Sequence, residues 1–390
     1  MKLYPYQQKT FEDAKLILSK HKMVYLALEM RYGKTPIAME LIRHLDKKAL
    51  FVTTKSAMKD ILSAQLSMNI STPITVINYE SLHKVQGKFD TLVLDEAHQK
   101  ISKFPKPSSS RLAVDHLTTE NTRVIWMSGS PAIESSSKLY HQLSISPYHS
   151  FSKFKNFYRW HDMYGIKGLS IYTGGSRPAV DYSQTIDFSQ RFEKIMVRRT
   201  LEASGRAVVS PKIHLVYIDI PPSINDVYDA IMKHSIYSEE FTVVADGGAG
   251  RLTKLHQLAQ GSVIDELDNT VLISPFKAKA IAEAHKGKKV AVFYKYIADY
   301  KLLSTFFNKE DLYQIDSAVT GINLSHYDEM AVMSLTFSGS NYSQMMSRML
   351  HPDNKEQPNV YVYLTNHTVD TDVYKAVSLK RDYNSKFLRA

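Results

Sequence analysis

The sequence predicts an α/β protein in which parallel sheets are covered by helices on both faces. Three features lead there. Short apolar runs alternate with helical patterns from about residue 20 to 135, as parallel strands joined by crossover helices do. A Gly-Lys-Thr turn at 33–35 separates the apolar run 23–28 from a segment of helical periodicity. The α/β alternation then starts again in the second half of the chain, with helical patterns around 255 and at 274–284 and a core strand at 289–294.

The stretch LALEMRYGKT at 26–35 has the strand–loop–helix layout of a phosphate-binding loop. There, backbone N–H groups and a helix N-terminus face a phosphate. Gly33 permits the tight turn, Lys34 neutralises the β- and γ-phosphate oxygens of ATP, and the Thr35 hydroxyl ligates Mg²⁺. Leu28 stands where the GxxxxGK[ST] pattern has its first glycine, so the loop needs a second half to confirm it. FDTLVLDEAH at 89–98 supplies one: an apolar run ending in the adjacent carboxylates Asp95 and Glu96, before His98. Asp95 at the strand end is placed to hold Mg²⁺, and Glu96 to polarise an attacking water.

Composition narrows the function classes. A chain of 390 residues, 44% hydrophobic and 23% charged, fits a globular protein of about two to three domains. No apolar run reaches the length of a membrane-spanning helix, and the first residues do not resemble a signal peptide. A soluble, cytoplasmic protein is expected. With no cysteine, disulfides and thiolate metal sites are excluded. A net charge of +10 favours a polyanionic partner.

In chain order, LYPYQQ at 3–8 precedes a helical pattern at 10–20, and Gln7 offers an amide able to bond both edges of adenine. ALFVTTKS at 49–56 is a strand running into a polar turn and a helix, and VINYESL at 76–82 repeats that layout. Strand exits of this kind suit contact with a phosphate backbone, which nominates Thr54, Lys55 and Tyr79 for DNA binding. RVIWMSGSP at 123–131 is a further buried strand with a small-residue exit. Residues 159–190 show no clear periodicity and are expected as loop with one short helix. The glycine-rich run 245–250 is expected as a turn between helices.

The order of these motifs resembles that of superfamily 2 helicases, and most closely their Swi/Snf-like DNA translocases. LYPYQ is similar to that group's adenine-reading motif, LALEMRYGKT to its LADEMGLGKT loop, LVLDEAH to its DEAH-type Walker B strand, and SGSP to its SGTP motif. The segment from Lys138 to Tyr158 resembles the helical stretch after its first lobe, IMVRRT at 195–200 its crossing, and PKIHLVY at 211–217 the first strand of its second lobe. QIDSAVTGINL at 314–324 resembles the motif joining DNA contact to the nucleotide. There Gly321 permits close backbone approach, and Ser317 and Asn323 offer hydrogen bonds to DNA. QMMSRMLHP at 344–352 stands where the family has QxxxRxxRP, with Gln344 and Arg348 in catalytic positions and His351 replacing the second arginine. Histidine is mostly neutral at pH 7 and cannot form a bidentate phosphate fork, so either Arg348 suffices as the arginine finger, another arginine substitutes, or hydrolysis is slow.

The resemblance implies two RecA-like lobes with helical insertions. The first lobe is expected over 1–150, an insertion and crossing over 151–205, and the second lobe over 206–390 with a helical insertion at about 222–265. Only a short span separates the strand at 290–294 from the motif at 314–324, so the second lobe is expected to be trimmed. Its compactness resembles small phage-encoded helicases. The implied activity is ATP hydrolysis with Mg²⁺ in an interlobe cleft, coupled to movement on single-stranded, forked or duplex DNA. An RNA helicase and a nucleotide-dependent DNA-binding protein with weak or no hydrolysis are the alternatives.

Overall fold

The computed structural model describes residues 2–29, 31–129, 135–170, 179–204, 210–315, 324, 326–346, 348, 357–379 and 383. The chain forms two compact units, Met1–Val208 and Val209–Ala390, and each is organised on one main parallel sheet. No helix among the described residues is long and apolar enough to cross a membrane.

The first unit opens with α1 (Pro5–His21) and β1 (Met23–Leu28). Proline suits the first helical turn, where its missing N–H would have had no intrahelical partner. Then follow α2 (Lys34–Leu45), β2 (Ala49–Thr53), α3 (Met58–Ser67), β3 (Ile74–Asn78), a 3₁₀ turn over Tyr79–Lys84, β4 (Thr91–Asp95), α4 (Ala97–Lys100), α5 (Ser109–Leu117) and β5 (Arg123–Ser128). After β5 come α6 (Lys138–Leu143), α7 (Phe157–Tyr164), the antiparallel pair β6 (Gly168–Ser170) and β7 (Ala179–Asp181), α8 (Ser189–Glu193) and β8 (Met196–Arg199).

The main sheet has the order β3-β2-β4-β5-β1-β8, with every pairing parallel. Every residue of β1 and β2 is buried, which is why these strands appear in the sequence as unbroken apolar runs. The pleat sends Tyr25, Val124 and Trp126 into one core and Leu26, Ile125 and Met127 into the other.

The stretch 159–190 holds more structure than its sequence pattern suggests. Three-residue strands offer too few alternations to register as a period. What organises this region is an aromatic core of Tyr140, Phe151, Phe157, Trp160, Tyr164 and Phe188. Asn156 caps α7 by accepting the Arg159 N–H at 3.0 Å.

The second unit runs through β9 (Lys212–Ile218), α9 (Pro222–His234), the hairpin β10 (Ile236–Ser238) and β11 (Thr242–Val244), α10 (Gly247–Leu258), and the hairpin β12 (Ser262–Ile264) and β13 (Thr270–Leu272). It continues with α11 (Phe276–Ala284), β14 (Val290–Tyr294), α12 (Ile297–Leu303), β15 (Leu312–Gln314), β16 (Glu329–Val332), a helix over Gly339–Met346, β17 (Asn359–Thr365) and a final helix, Val369–Ser378. Among the described residues its sheet is parallel, five-stranded and ordered β15-β14-β16-β17-β9. The glycine-rich run at 245–250 is not a turn between helices. It follows β11 and opens α10, where Gly247 takes a φ of 69° that only glycine reaches without strain.

A buried polar hub ties the carboxyl end of β17 to the surrounding helices. Lys277 of α11 is 0% exposed and donates to Asp370 Oδ2 at 2.6 Å and to Gln260 Oε1 at 2.8 Å. Gln260 Nε2 returns to Asp370 Oδ1 at 2.9 Å, and Asp370 also accepts the Thr365 N–H at 3.1 Å. Burial pushes the Lys277 amine below its ordinary value, and Asp370 opposes that shift. Removing one partner strands the other's charge in the interior. Lys277→Met should therefore destabilise the second unit by about 3–5 kcal/mol, with Lys277→Met/Asp370→Leu recovering most of the loss. Urea unfolding followed by far-UV circular dichroism measures both.

Candidate active site

In the first sheet β5 lies between β1 and β4, so the loops leaving β1 and β4 open on one edge, a strand's width apart. Parallel α/β sheets bind ligands at this carboxyl edge.

The loop after β1 is braced from three sides. Glu29 donates its N–H to Arg199 O at 3.0 Å, and its carboxylate accepts the Leu201 N–H at 2.7 Å. Tyr32 is buried, with its ring edge-on to Tyr6 at 5.0 Å and its hydroxyl 2.9 Å from Thr10 Oγ1. Gln7 donates through Nε2 to Tyr32 O at 3.1 Å and accepts the Tyr4 N–H on Oε1 at 3.0 Å. The amide expected to read adenine is thus buried and engaged on both sides with its own chain, and its visible work is to hold the loop. Gly33 is required twice over. Its φ is 98°, and a Cβ there would lie 2.1 Å from Gln7 Nε2.

Lys34 begins α2, and Thr35 follows, half-buried, in the same turn. The Lys34 amine donates to Leu28 O at 3.1 Å and lies 3.9 Å from Glu96 Oε1. Leu28, which breaks the glycine pattern, therefore serves through its carbonyl.

Asp95 ends β4 and accepts from Thr53 Oγ1 on Oδ2 at 2.8 Å, while its main-chain oxygen accepts the Tyr79 phenol at 2.7 Å. Glu96 takes a left-handed φ of 49° as α4 begins, a conformation costing a non-glycine residue about 1–2 kcal/mol. Its Oε2 lies 3.3 Å from His98 Nδ1, which is also 2.8 Å from Ser128 Oγ at the end of β5. Burial, and then the neighbouring Glu96 charge, push the Asp95 carboxyl up to about 7; Lys34 and the Thr53 hydrogen bond pull it back.

This donor set fits a magnesium ion. Among the described residues no group of three or more His, Asp or Glu is gathered to hold a metal. Mg²⁺ needs none, because it takes one or two protein ligands and completes its shell with water and substrate phosphates. Thr35 and Asp95 are the residues that would hold it, beside a carboxylate pair whose repulsion a cation relieves.

The residues nominated for nucleic-acid contact divide. Lys55 is exposed, and Thr54 is half-buried with Oγ1 3.3 Å from Ser56 Oγ. Tyr79 is only 2% exposed, and its phenol bonds the main-chain oxygen at the end of β4. In the second unit Gln344 is buried in the helix Gly339–Met346, and Arg348 is half-buried beyond that helix. Ser317, Gly321, Asn323 and His351 lie outside the described residues.

Sequence reasoning gave no role to Thr53, His98 or Ser128. The available signals were a hydroxyl closing each of two apolar runs and a histidine two residues after a carboxylate pair.

No protein-family model matches the chain, and no curated protein does. Among solved structures it is similar to the Sulfolobus solfataricus SWI2/SNF2 ATPase core in complex with dsDNA, at 14% identity and a TM-score of 0.43. That likeness covers 99% of this chain and 94% of the other.

The Asp95 shift has a measurable sign. Its folded value lies above the ordinary 3.8, so the fold favours the protonated acid, and ionising it costs stability that is fully lost above pH 7. Asp95→Asn should therefore stabilise the metal-free protein at pH 8, and by progressively less as the pH falls towards 4. Thermal melts across that range measure the difference.

Proposed function

We propose that the chain is an ATP- and Mg²⁺-dependent motor acting on DNA, a helicase or translocase of superfamily 2 akin to its Swi/Snf-like branch. The observation that carries this reading is the Lys34 amine, poised 3.9 Å from Glu96 at the edge where β1 and β4 end. A phosphate-loop lysine and a strand-end carboxylate pair so placed are the parts that hydrolysis of a nucleoside triphosphate requires.

The residues divide the work. Lys34 and the first N–H groups of α2 neutralise the β- and γ-phosphate oxygens. Bound Mg²⁺, held by Thr35 and Asp95, would supply further charge neutralisation at those oxygens. Glu96, beside His98 and Ser128, orients the attacking water and accepts its proton. Arg348, with Gln344 nearby in sequence, supplies positive charge to the leaving phosphate. Lys55, Thr54 and the net charge of +10 favour phosphate-backbone contact that does not depend on base sequence.

The first experiment is ATP hydrolysis measured alone and with single-stranded, forked and duplex DNA, and with RNA. Stimulation by DNA supports the reading, stimulation by RNA alone redirects it, and the absence of hydrolysis removes it. Lys34→Ala should abolish turnover with little change in melting temperature. Glu96→Gln should bind ATP normally yet lose about 10²–10⁴ in rate, the worth of a general base. Loss of ATP binding in Glu96→Gln would break the division of roles between Asp95 and Glu96.

Binding to DNA should weaken linearly in log–log terms as salt rises, with a slope of about 0.7–0.9 per phosphate neutralised. Fluorescence anisotropy between 50 and 200 mM salt, about the range over which such contacts dominate, gives the slope.

A further inference from the structure

The exits of β2 and β3 both end on Asp95. Thr53, the fully buried last residue of β2, donates to Asp95 Oδ2 at 2.8 Å. Tyr79, the first residue after β3, passes the end of β2 to reach Asp95 O at 2.7 Å. The direction of that carbonyl is set by the sheet. Glu96 N–H bonds to Met127 O on β5, and in a planar trans peptide the carbonyl of Asp95 points the opposite way, towards β2. Thr53 and Asp95 stand one step beyond the last paired residues, Val52 and Leu94, so the phenol satisfies a carbonyl that the ladder has left behind.

Each of these hydroxyls adjoins exposed chain. Lys55 and Ser56 follow Thr53, and Glu80 follows Tyr79. Glu80 is also paired with Lys100 of α4 at 2.8 Å, and α4 carries His98. A phenylalanine would fill the space of Tyr79 equally well. What the hydroxyl adds is a fixed distance between the turn after β3 and the carboxylate end of β4.

We infer that Tyr79 and Thr53 are positioning residues, which convey a displacement of the turns after β2 and β3 to the Asp95–Glu96 carboxylates. This rests on the function proposed above, in which the turn after β2 meets nucleic acid and the carboxylates serve ATP hydrolysis. A strand engaging Lys55 and its neighbours would shift the two exits, and the hydrogen bonds would carry that shift into the geometry of Asp95. Nucleic-acid stimulation of hydrolysis would then depend on two hydroxyls that touch neither ligand.

The test uses the full chain with Tyr79→Phe, Thr53→Val and Thr53→Ser. For each, kcat is measured with saturating Mg-ATP, without and with saturating single-stranded or duplex DNA, alongside DNA affinity by anisotropy. In Tyr79→Phe the ratio of stimulated to basal kcat should fall about tenfold at unchanged DNA affinity, the order that one hydrogen bond supplies. Thr53→Val should lower that ratio likewise, and Thr53→Ser, which keeps the hydroxyl, should restore it. A wild-type chain that responds to DNA beside a Tyr79→Phe chain that responds equally overturns this inference alone. Equal loss of both rates also overturns it, since that marks simple damage to the site. A wild-type chain with one rate in the presence and absence of DNA overturns the proposed function and this inference with it.

Discussion

The first unit depends on holding two adjacent carboxylates at the end of a strand whose other residues are buried. Burial that makes β4 a good central strand also makes Asp95 a poor acid, and Glu96 beside it worsens the repulsion. The surrounding structure answers each difficulty separately. Thr53 and Tyr79 take the oxygens of Asp95, the Lys34 amine approaches Glu96, and a left-handed turn directs Glu96 towards His98. Left without a cation the arrangement is costly at neutral pH. That is the expected condition of a site whose charges are matched to a bound ligand.

The second unit solves an analogous problem with its own charges. Lys277 and Asp370 neutralise each other in the interior, and Gln260 and Thr365 occupy the remaining donors and acceptors. His256 Nε2 also faces this pair, 3.5 Å from Asp370 Oδ1. In the first unit, by contrast, two adjacent carboxylates at one strand end face the Lys34 amine.

How far the sequence could be followed depended on the length of each element and on what set its position. β1 is uniformly apolar and β2 and β5 are apolar apart from their terminal residues, so their extents follow closely from composition. The pairing of Lys34 with Glu96 was legible because both ends of it lie in short, recognisable turns. The bond from Gln7 to the carbonyl of Tyr32 was not legible, because its partner is a main-chain atom with no signature in the sequence. The bond from Tyr79 to Asp95 was hidden for a related reason: only the sheet order places β3 two strands from Asp95, within reach of its main-chain oxygen. The β6–β7 pair and the glycine-led start of α10 are set by tertiary packing, which overrides weak local pattern.

The sixth strand of the first sheet bears on how the chain is made. β1 is flanked on one side by β5 and on the other by β8, which enters only at Met196, after the aromatic region has been built. During synthesis, β1 therefore keeps an open edge until Arg199 has left the ribosome, although every other strand of that sheet has already emerged. An uncovered parallel edge of Tyr25, Leu26 and Leu28 invites association with other chains. The late strand acts as a clasp on the sheet, so the first unit should be most vulnerable to aggregation during that interval of its synthesis.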